Sequence, residues 1–234
     1  MSIRLLEYIE NLIWGKMKIN NFLIGETSQT YIIAEMSGNH CGELEYAKKI
    51  IRAAKEAGAN AVKLQTYTAD TITLNCDKED FQIPSDNPWA TKNTLYELYN
   101  EAHTPWEWHK ELFAEAKEVK IDIFSSPFDH SALELLESLC APAYKIASPE
   151  ITDIPLIKAI ALTKKPVILS TGVANKADIE LALKTLKDNG CKDVVILKCT
   201  SSYPSPPETI NLRTMVDFKE SFNCLYGLSD HTLG

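Results

Sequence analysis

The stretch ELEYAKKIIRAAKEAGANAVKLQT, residues 43–66, joins an amphipathic helix to a short apolar strand. Apolar residues recur every three or four positions in its first part, which predicts a helix over 43–59, and Gly58 stands where a helix C-cap belongs. The following run predicts a strand over 61–65 that carries Lys63 and Gln65. A helix that leads directly into a Val/Leu-rich strand is typical of a βα unit in a parallel sheet.

The same alternation of helix and strand extends over most of the chain. The further predicted strands are 31–36, 122–126, 143–147, 166–170, 193–198 and 225–229. The further predicted helices are 105–120, 130–139, 154–163, 175–189 and 211–221. One connection, 67–105, is unusually long and rich in aromatic residues, and connections of that length in compact domains are more often functional than passive.

Seven predicted strands are compatible with two α/β architectures. An open doubly wound sheet usually has a glycine-rich first turn, and SGNHCG at 37–42 does not match GxGxxG. A closed barrel needs eight strands. We therefore predict a TIM-type (β/α)8 barrel domain over 17–234, with about seven strands in this chain. We also expect that its eighth strand and a C-terminal domain are missing.

The first sixteen residues, MSIRLLEYIENLIWGK, are predicted to be an appendage to that domain. Their apolar residues have helical spacing, but they lack the uninterrupted apolar region of a signal peptide. Two explanations are considered: either translation starts at Met17 and these residues precede the true start, or they form a docking helix.

The composition argues against a nucleic-acid-binding protein and against a membrane-spanning protein. A net charge of -8 argues against nucleic-acid binding, and the apolar runs are too short to span a bilayer. The six cysteines form no CxxC pair, so we expect reduced thiols in a cytoplasmic protein.

Each predicted strand ends in residues that could do chemistry. Because the carboxyl ends of barrel strands converge, Lys63, Lys145 and Lys198 are expected to surround one site. Lysines beside hydroxyl donors suit a phosphate ligand, whereas each serine alone could be a simple strand cap. The hydroxyl donors are Ser126, Ser148, Ser170, Ser201 and Ser229. Glu35 and Glu150 add carboxylates for proton transfer or for binding sugar hydroxyls.

An ordered series of motifs resembles the barrel domain of the sialic acid synthase family over about residues 30–234. The motifs are AEMSGNHCG, AKEAGANAVKLQTYTADT, FSSPFD, AYKIASPE, PVILSTG, LKCTSSYPSP and GLSDHTLG. DTITLNCDKEDFQI and LYELYNEAHTPWEWH resemble the pseudaminic branch more than the neuraminic or legionaminic branch, as does Lys198, where the neuraminic branch carries His.

The resemblance implies an activity. The family condenses phosphoenolpyruvate with an N-acetylated sugar aldehyde and releases phosphate, using a divalent metal, Mn2+ or Mg2+. For the pseudaminic branch the sugar is 2,4-diacetamido-2,4,6-trideoxy-L-altrose. The family's C-terminal antifreeze-like domain is contributed by a partner subunit, which implies a homodimer of the full-length protein.

The resemblance also implies residue roles. Glu35 matches a general acid/base and His231 a metal ligand, whose companion His lies on the family's eighth strand. The residues implied around phosphoenolpyruvate are Lys63, Ser126, Lys145, Ser148, Ser170, Ser201 and Ser229. Gln65, Glu150 and Tyr203 fall at acceptor-sugar positions, and Lys198 is grouped with the substrate-binding residues.

Two rival functions remain at this point. Lys198 could form an imine, as in a metal-independent aldolase-type lyase. The alternative is a truncated barrel without activity.

Overall fold

The computed structural model describes residues 15–85 and 92–233. The strands are β1 Lys16–Ile19, β2 Phe22–Gly25, β3 Ile33–Glu35, β4 Ala61–Thr66, β5 Asp122–Pro127, β6 Tyr144–Ile146, β7 Val167–Ser170, β8 Val194–Cys199 and β9 Leu225–Ser229. The helices are α1 Leu44–Glu56, α2 Ala69–Ile72, α3 Leu95–Ala102, α4 His109–Val119, α5 His130–Ser138, α6 Ile154–Leu162, α7 Lys176–Asp188 and α8 Thr214–Phe222. Short 3-10 turns lie at Glu79–Phe81, Trp106–Trp108, Pro149–Thr152 and Pro207–Thr209.

The described chain divides into two compact units. The first unit is 31–141, and the second unit combines 142–233 with 15–30. In the first unit β3, β4 and β5 are parallel and adjacent in that order. Its core includes Val62 and Leu64 of β4, Ile51 of α1 and Leu112 of α4, all fully buried.

The second unit holds four parallel strands in the order β6, β7, β8 and β9. It also holds the antiparallel hairpin of β1 and β2, in which Met17 and Ile19 are buried. Successive strand residues point to opposite faces of a sheet, and residues paired in register share a face. The register therefore fixes which strand-end side chains lie together.

The predicted strands are all present, as β3 to β9, with ends within two residues of those expected. The predicted helices are confirmed as well, although the one expected over 105–120 begins with a 3-10 turn at Trp106–Trp108. Gly58 has a φ of +88°, a left-handed conformation that glycine adopts without strain, which confirms its place just beyond α1.

Two features of the described chain escaped prediction. The hairpin of β1 and β2 turns at Asn20, whose φ is +47°, and Asn is a typical residue of such tight turns. The long connection contains α2, α3 and the turn Glu79–Phe81. Residues 1–14 of the expected appendage lie outside the described residues, while β1 begins at Lys16.

Candidate functional site

The first unit brings four predicted site residues to the carboxyl ends of its strands. Glu35 pairs in register with Lys63, and Gln65 pairs with Ser126. Lys63 and Gln65 are two positions apart on β4, so all four side chains lie on one face. We call these residues the Lys63 cluster.

An ion pair organises the Lys63 cluster. The buried Lys63 ammonium contacts a carboxylate oxygen of Glu35, whose side chain is partly exposed. Burying an ammonium ion is costly unless it is paired, and Glu35 supplies the opposite charge. The backbone N–H of Ser37 donates to the other Glu35 oxygen across 3.1 Å, and the Ser37 hydroxyl donates to Gln65 Oε1 across 3.2 Å.

Two adjacent serines on β5 have different surroundings. Ser125 lies on the face opposite the Lys63 cluster, where its hydroxyl is 2.6 Å from Thr66 Oγ1, which is 2.9 Å from His109 Nε2. Ser126 is buried, and its hydroxyl has no hydrogen-bond partner among the described residues. Because buried hydroxyls are normally paired, the Ser126 hydroxyl is suited to a ligand.

The second unit has its own group of a buried lysine and a buried hydroxyl, at the ends of β6 and β7. Lys145 is buried on β6 and shares a register position with Ile168, two residues before Ser170 on β7. Ser170 is fully buried, and its hydroxyl has no partner in the part of the chain that the structure describes. A buried lysine again lies on the same face as a buried, unpaired hydroxyl.

Gly172 allows several side chains of this unit to converge. Its N–H donates to Ser148 Oγ across 3.0 Å. A Cβ at this position would lie 2.4 Å from Ser201 Oγ, 2.9 Å from Ser148 Oγ and 3.0 Å from Cys199 Sγ. No larger residue fits there unless these side chains move. We call Lys145, Ser148, Ser170, Gly172, Cys199 and Ser201 the Lys145 cluster.

His231 lies beside Cys199 of the Lys145 cluster. Its Nδ1 is 2.8 Å from the carbonyl oxygen of Thr200, and its ring is tilted against Tyr203 with centroids 4.2 Å apart. Ser229, two residues earlier, pairs in register with Cys199 and therefore shares its face.

Cys199 carries an unusually acidic thiol. Burial raises the pKa of a thiol, but hydrogen bonds from His231 and Ser148, together with the charges of His231 and Lys145, lower the Cys199 pKa to about 7. The hydrogen bond to Cys199 in turn raises the pKa of His231, although burial opposes it. Sequence reasoning counted Cys199 only among the free thiols, and the available signal was its position beside Lys198 at a strand end.

Glu150 lies on the 3-10 turn that follows β6. Burial raises the pKa of its carboxyl group above the ordinary value, an effect that the charge of Lys145 partly opposes. Its Oε2 atom is buried without a hydrogen-bond partner among the described residues. This carboxyl group can accept a hydrogen bond from a ligand hydroxyl.

Lys198 is not where the sequence analysis expected it. Lys145 shares its face with Ile168, Val195 and hence Cys199, so Lys198, next to Cys199, lies on the opposite face. Its amine donates to the carbonyl oxygen of Cys199 across 2.8 Å and to Thr200 Oγ1 across 3.2 Å. The expectation that Lys198 and Lys145 surround one mouth is therefore not met within the second unit.

The described residues provide only part of a ligand set for a metal ion. Within residues 15–85 and 92–233, no group of three or more His, Cys, Asp and Glu side chains is arranged to hold an ion. A carbonyl oxygen can only accept, so His231 Nδ1 is the donor to Thr200, and Nε2 is the ring nitrogen that contacts Cys199. A metal bound through Nε2 would have to replace this contact with Cys199.

Comparison with known proteins identifies the family. Residues 50–234 match the sequence model of the NeuB family. The chain belongs to the NeuB family. It is 48% identical over 218 residues to the pseudaminic acid synthase of Campylobacter jejuni, a match that covers 93% of this chain and 62% of that protein. It is 50% identical over 203 residues to the pseudaminic acid synthase of Helicobacter pylori, covering 87% of this chain and 59% of that protein.

The chain spans about three fifths of the length of these two curated relatives. The N,N'-diacetyllegionaminic acid synthase of Campylobacter jejuni is 39% identical over 209 residues, covering 88% of this chain and 62% of that protein. The pseudaminic branch expected from the motifs is therefore the more similar of these two.

Solved structures agree on the fold. The N-acetylneuraminic acid synthetase of Leptospira borgpetersenii superposes with a TM-score of 0.80 at 31% identity, covering 94% of this chain and 71% of that one. A truncated 3-deoxy-D-arabino-heptulosonate 7-phosphate synthase from Thermotoga maritima, at 12% identity, has a TM-score of 0.65 and covers 93% of this chain and 70% of that one. The predicted TIM-type barrel class, with seven parallel strands in the described chain, is confirmed.

The six cysteines are all free thiols. Among the described residues, no helix combines the length and the apolar character that crossing a bilayer requires.

Proposed function

We propose that this chain is the barrel part of a pseudaminic acid synthase-like enzyme. The enzyme condenses phosphoenolpyruvate with 2,4-diacetamido-2,4,6-trideoxy-L-altrose and releases phosphate. The observation that carries the proposal is the repeated pairing of a buried lysine with a buried, unpartnered serine hydroxyl, Lys63 with Ser126 and Lys145 with Ser170. Two relatives named pseudaminic acid synthase, at 48% and 50% identity, support the same reaction class.

The anionic substrate is assigned to these lysines and hydroxyls. Lys63 and Lys145 bind its phosphate and carboxylate as point charges, and Ser126, Ser148 and Ser170 orient its oxygens. Ser201 and Ser229 complete this set in the proposal. Hydrogen bonds to charged groups contribute ~1.5–3 kcal/mol each, so several together can hold a small trianion.

The acceptor sugar is neutral, and its proposed contacts are polar rather than cationic. Gln65 and Glu150 accept or donate hydrogen bonds to its hydroxyl and acetamido groups. Tyr203, which is 54% exposed, offers a ring and a hydroxyl at the entrance. Burial raises the pKa of Glu150, and its buried Oε2 atom, which has no partner among the described residues, can accept a hydrogen bond from the sugar.

The proposed reaction forms one carbon–carbon bond. C3 of phosphoenolpyruvate attacks the aldehyde carbon, water adds at C2, and the C2–O bond to phosphate breaks, so that phosphate leaves from a tetrahedral intermediate. Glu35 takes a proton from the attacking water and returns one to the alkoxide formed from the aldehyde. Its ion pair with Lys63 places the carboxylate beside the lysine that is proposed to bind the anion.

A divalent metal, Mn2+ or Mg2+, belongs to the proposal, with His231 as one ligand. When bound, such an ion supplies Lewis-acid polarisation of the aldehyde oxygen. His231 is prepared for this role by its bond to Thr200, which orients the ring. A homodimer of the full-length protein and a cytoplasmic location are also proposed, and the free thiols suit a reducing compartment.

The experiment is a phosphate-release assay. An extended protein that contains these residues, and the 234-residue chain beside it, are incubated with phosphoenolpyruvate, Mn2+ and the diacetamido sugar. Phosphate release that requires the sugar supports the proposal, and release at the same rate without sugar contradicts it. Replacing the sugar with N-acetylmannosamine or the legionaminate precursor tests the sibling branches.

The imine-forming lyase has weaker support. An imine-forming amine must be desolvated and unprotonated, whereas the Lys198 amine donates two hydrogen bonds at the end of its strand. Borohydride treatment in the presence of pyruvate should leave no covalent adduct.

A further inference from the structure

The second unit contains a cavity lined by Lys198, a residue without a role in the proposed reaction, and it also borders Gly172 and Cys199 of the Lys145 cluster. Its volume is about 710 Å3, and it lies between the ends of β7 and β8 and the segment 207–214 that leads into α8. Ile179 of α7 and Phe218 of α8 form apolar walls, while Lys198 and Arg213 are the charged residues that line it.

The charge of this cavity is unbalanced. Lys198 and Arg213 line it without any Asp or Glu among its described lining residues. Neither cation forms an ion pair within 15–85 and 92–233, although several lysines and Arg52 do so elsewhere in this range. The whole chain carries a net charge of -8, so the two unpaired cations that line this cavity are opposite in sign to the net charge of the protein. An anion is the ligand that this arrangement attracts.

Lys198 is held in position for such a ligand. Its amine uses two N–H groups on Cys199 O and Thr200 Oγ1, at 2.8 and 3.2 Å, which leaves the third available. Arg213 immediately precedes α8 and brings a planar guanidinium group with several donors. A lysine point charge beside an arginine fork is a pairing that suits phosphate oxygens.

We infer that this cavity binds a phosphate monoester with an apolar or planar body. The phosphate group contacts Lys198 and Arg213, and the body packs against Ile179 and Phe218. Its cations differ from those of the proposed phosphoenolpyruvate site, because Lys198 lies on the opposite face of the strands from Lys145, although Gly172 and Cys199 border both sites. The neutral acceptor sugar of the proposed reaction would not need these cations, so the inference does not depend on that reaction.

The test is isothermal titration calorimetry with phenyl phosphate, inorganic phosphate and phenol as probes. Phenyl phosphate carries both the anion and the apolar body, and the other two probes carry one each. To remove phosphate binding at the proposed substrate site, the titrations are made in a Lys145→Met background as well as in the unmodified protein. Arg213→Met and Arg213→Lys are the test variants. Lys192→Met is the matched control, because Lys192 is an exposed lysine near the opposite end of β8.

The expected result is phenyl phosphate binding that survives Lys145→Met and weakens about ten-fold or more in Arg213→Met, the loss expected for one charged hydrogen-bonding partner. Arg213→Lys should weaken binding less, Lys192→Met should leave it within about two-fold, and phenol should bind far more weakly. Binding that disappears with Lys145→Met alone, or that Lys192→Met weakens as much as Arg213→Met, would overturn the inference. Absence of phenyl phosphate binding in the folded protein would overturn it too, whatever the outcome of the phosphate-release assay.

Discussion

His231 donates its Nδ1–H to the carbonyl oxygen of Thr200 across 2.8 Å. This hydrogen bond orients the imidazole and places Nε2 beside Cys199. For His231 to bind the proposed metal ion, Nε2 exchanges its contact with Cys199 for the ion, and the ring does not have to turn.

His231→Ala should therefore weaken Mn2+ binding by about ten-fold or more, since it removes both the ligand and its orienting bond. Free Mn2+ can be followed directly by electron paramagnetic resonance, without an activity assay. His130→Ala is the control, because His130 is an exposed histidine of the first unit. Equal Mn2+ affinity in the two variants, or full turnover in excess EDTA, would contradict the proposed metal role.

Lys63→Met and Lys145→Met should each raise the phosphoenolpyruvate KM by ~10–100-fold and lower kcat, because each removes a buried charge that binds the anion. The KM for the sugar should change much less. Lys192→Met keeps the same substitution at an exposed site and should leave both constants unchanged. A parallel rise of both KM values would indicate general unfolding instead of lost anion binding.

Gly172→Ala should destabilise the second unit by ~1–3 kcal/mol and impair activity, because its Cβ would overlap the Ser201 and Ser148 hydroxyls. Thermal unfolding measures the loss. Gly25→Ala is the control, since the nearest atoms to its Cβ would be 3.4 Å away. Adding Ser201→Gly removes the worst overlap and should restore part of the stability, and no recovery would contradict this explanation.

His109→Phe should cost ~1–3 kcal/mol of stability at neutral pH, because it leaves the buried Thr66 hydroxyl without its ring partner. His109 Nδ1 lies 3.2 Å from the Pro105 carbonyl oxygen and so carries the hydrogen, which leaves Nε2 to accept from Thr66. The Thr66 hydroxyl can donate to His109 Nε2 only when the imidazole ring is neutral.

The pH dependence of stability gives a second measurement on His109. Burial lowers the pKa of His109, so the unfolded chain takes up a proton at a higher pH than the folded chain does. The stability that His109 contributes is present above the ordinary histidine pKa of ~6.5 and is lost as the pH falls through it. His109→Phe should flatten that fall in unfolding free energy, and His130→Phe should not. An unchanged slope in His109→Phe would contradict a neutral buried ring.

The sequence predicted the strand ends well because each apolar run stops at a polar residue. It could not assign faces, as Lys198 and Cys199 demonstrate. Strands of a parallel sheet are buried on both sides, so their sequences lack the alternation that would identify the inward-facing residue. On β8, the residue on the same face as Lys145 is therefore Cys199, which had been regarded only as a free thiol. Its neighbour Lys198, which was expected there, lies on the opposite face.

Contacts between distant segments were also beyond sequence reasoning. Gly172 gave no signal of its own, because the crowding around it comes from side chains on two other segments of the second unit, Ser148 after β6 and Cys199 with Ser201 at the end of β8. The resemblance to a family supplied residue roles for Ser148 and His231, but their shared contact with Cys199 exists only in the folded protein.

The ion pair of Glu35 and Lys63 has a consequence for the order of events during turnover. An arriving anion competes with Glu35 for the Lys63 ammonium, so substrate binding deprives the carboxylate of its counter-charge. In the proposed reaction one side chain thus links two events: the Glu35 carboxylate is released from Lys63 only when the anionic substrate has arrived. Ordered binding, with phosphoenolpyruvate before sugar, is the kinetic signature, and random-order kinetics would show that the two events are independent.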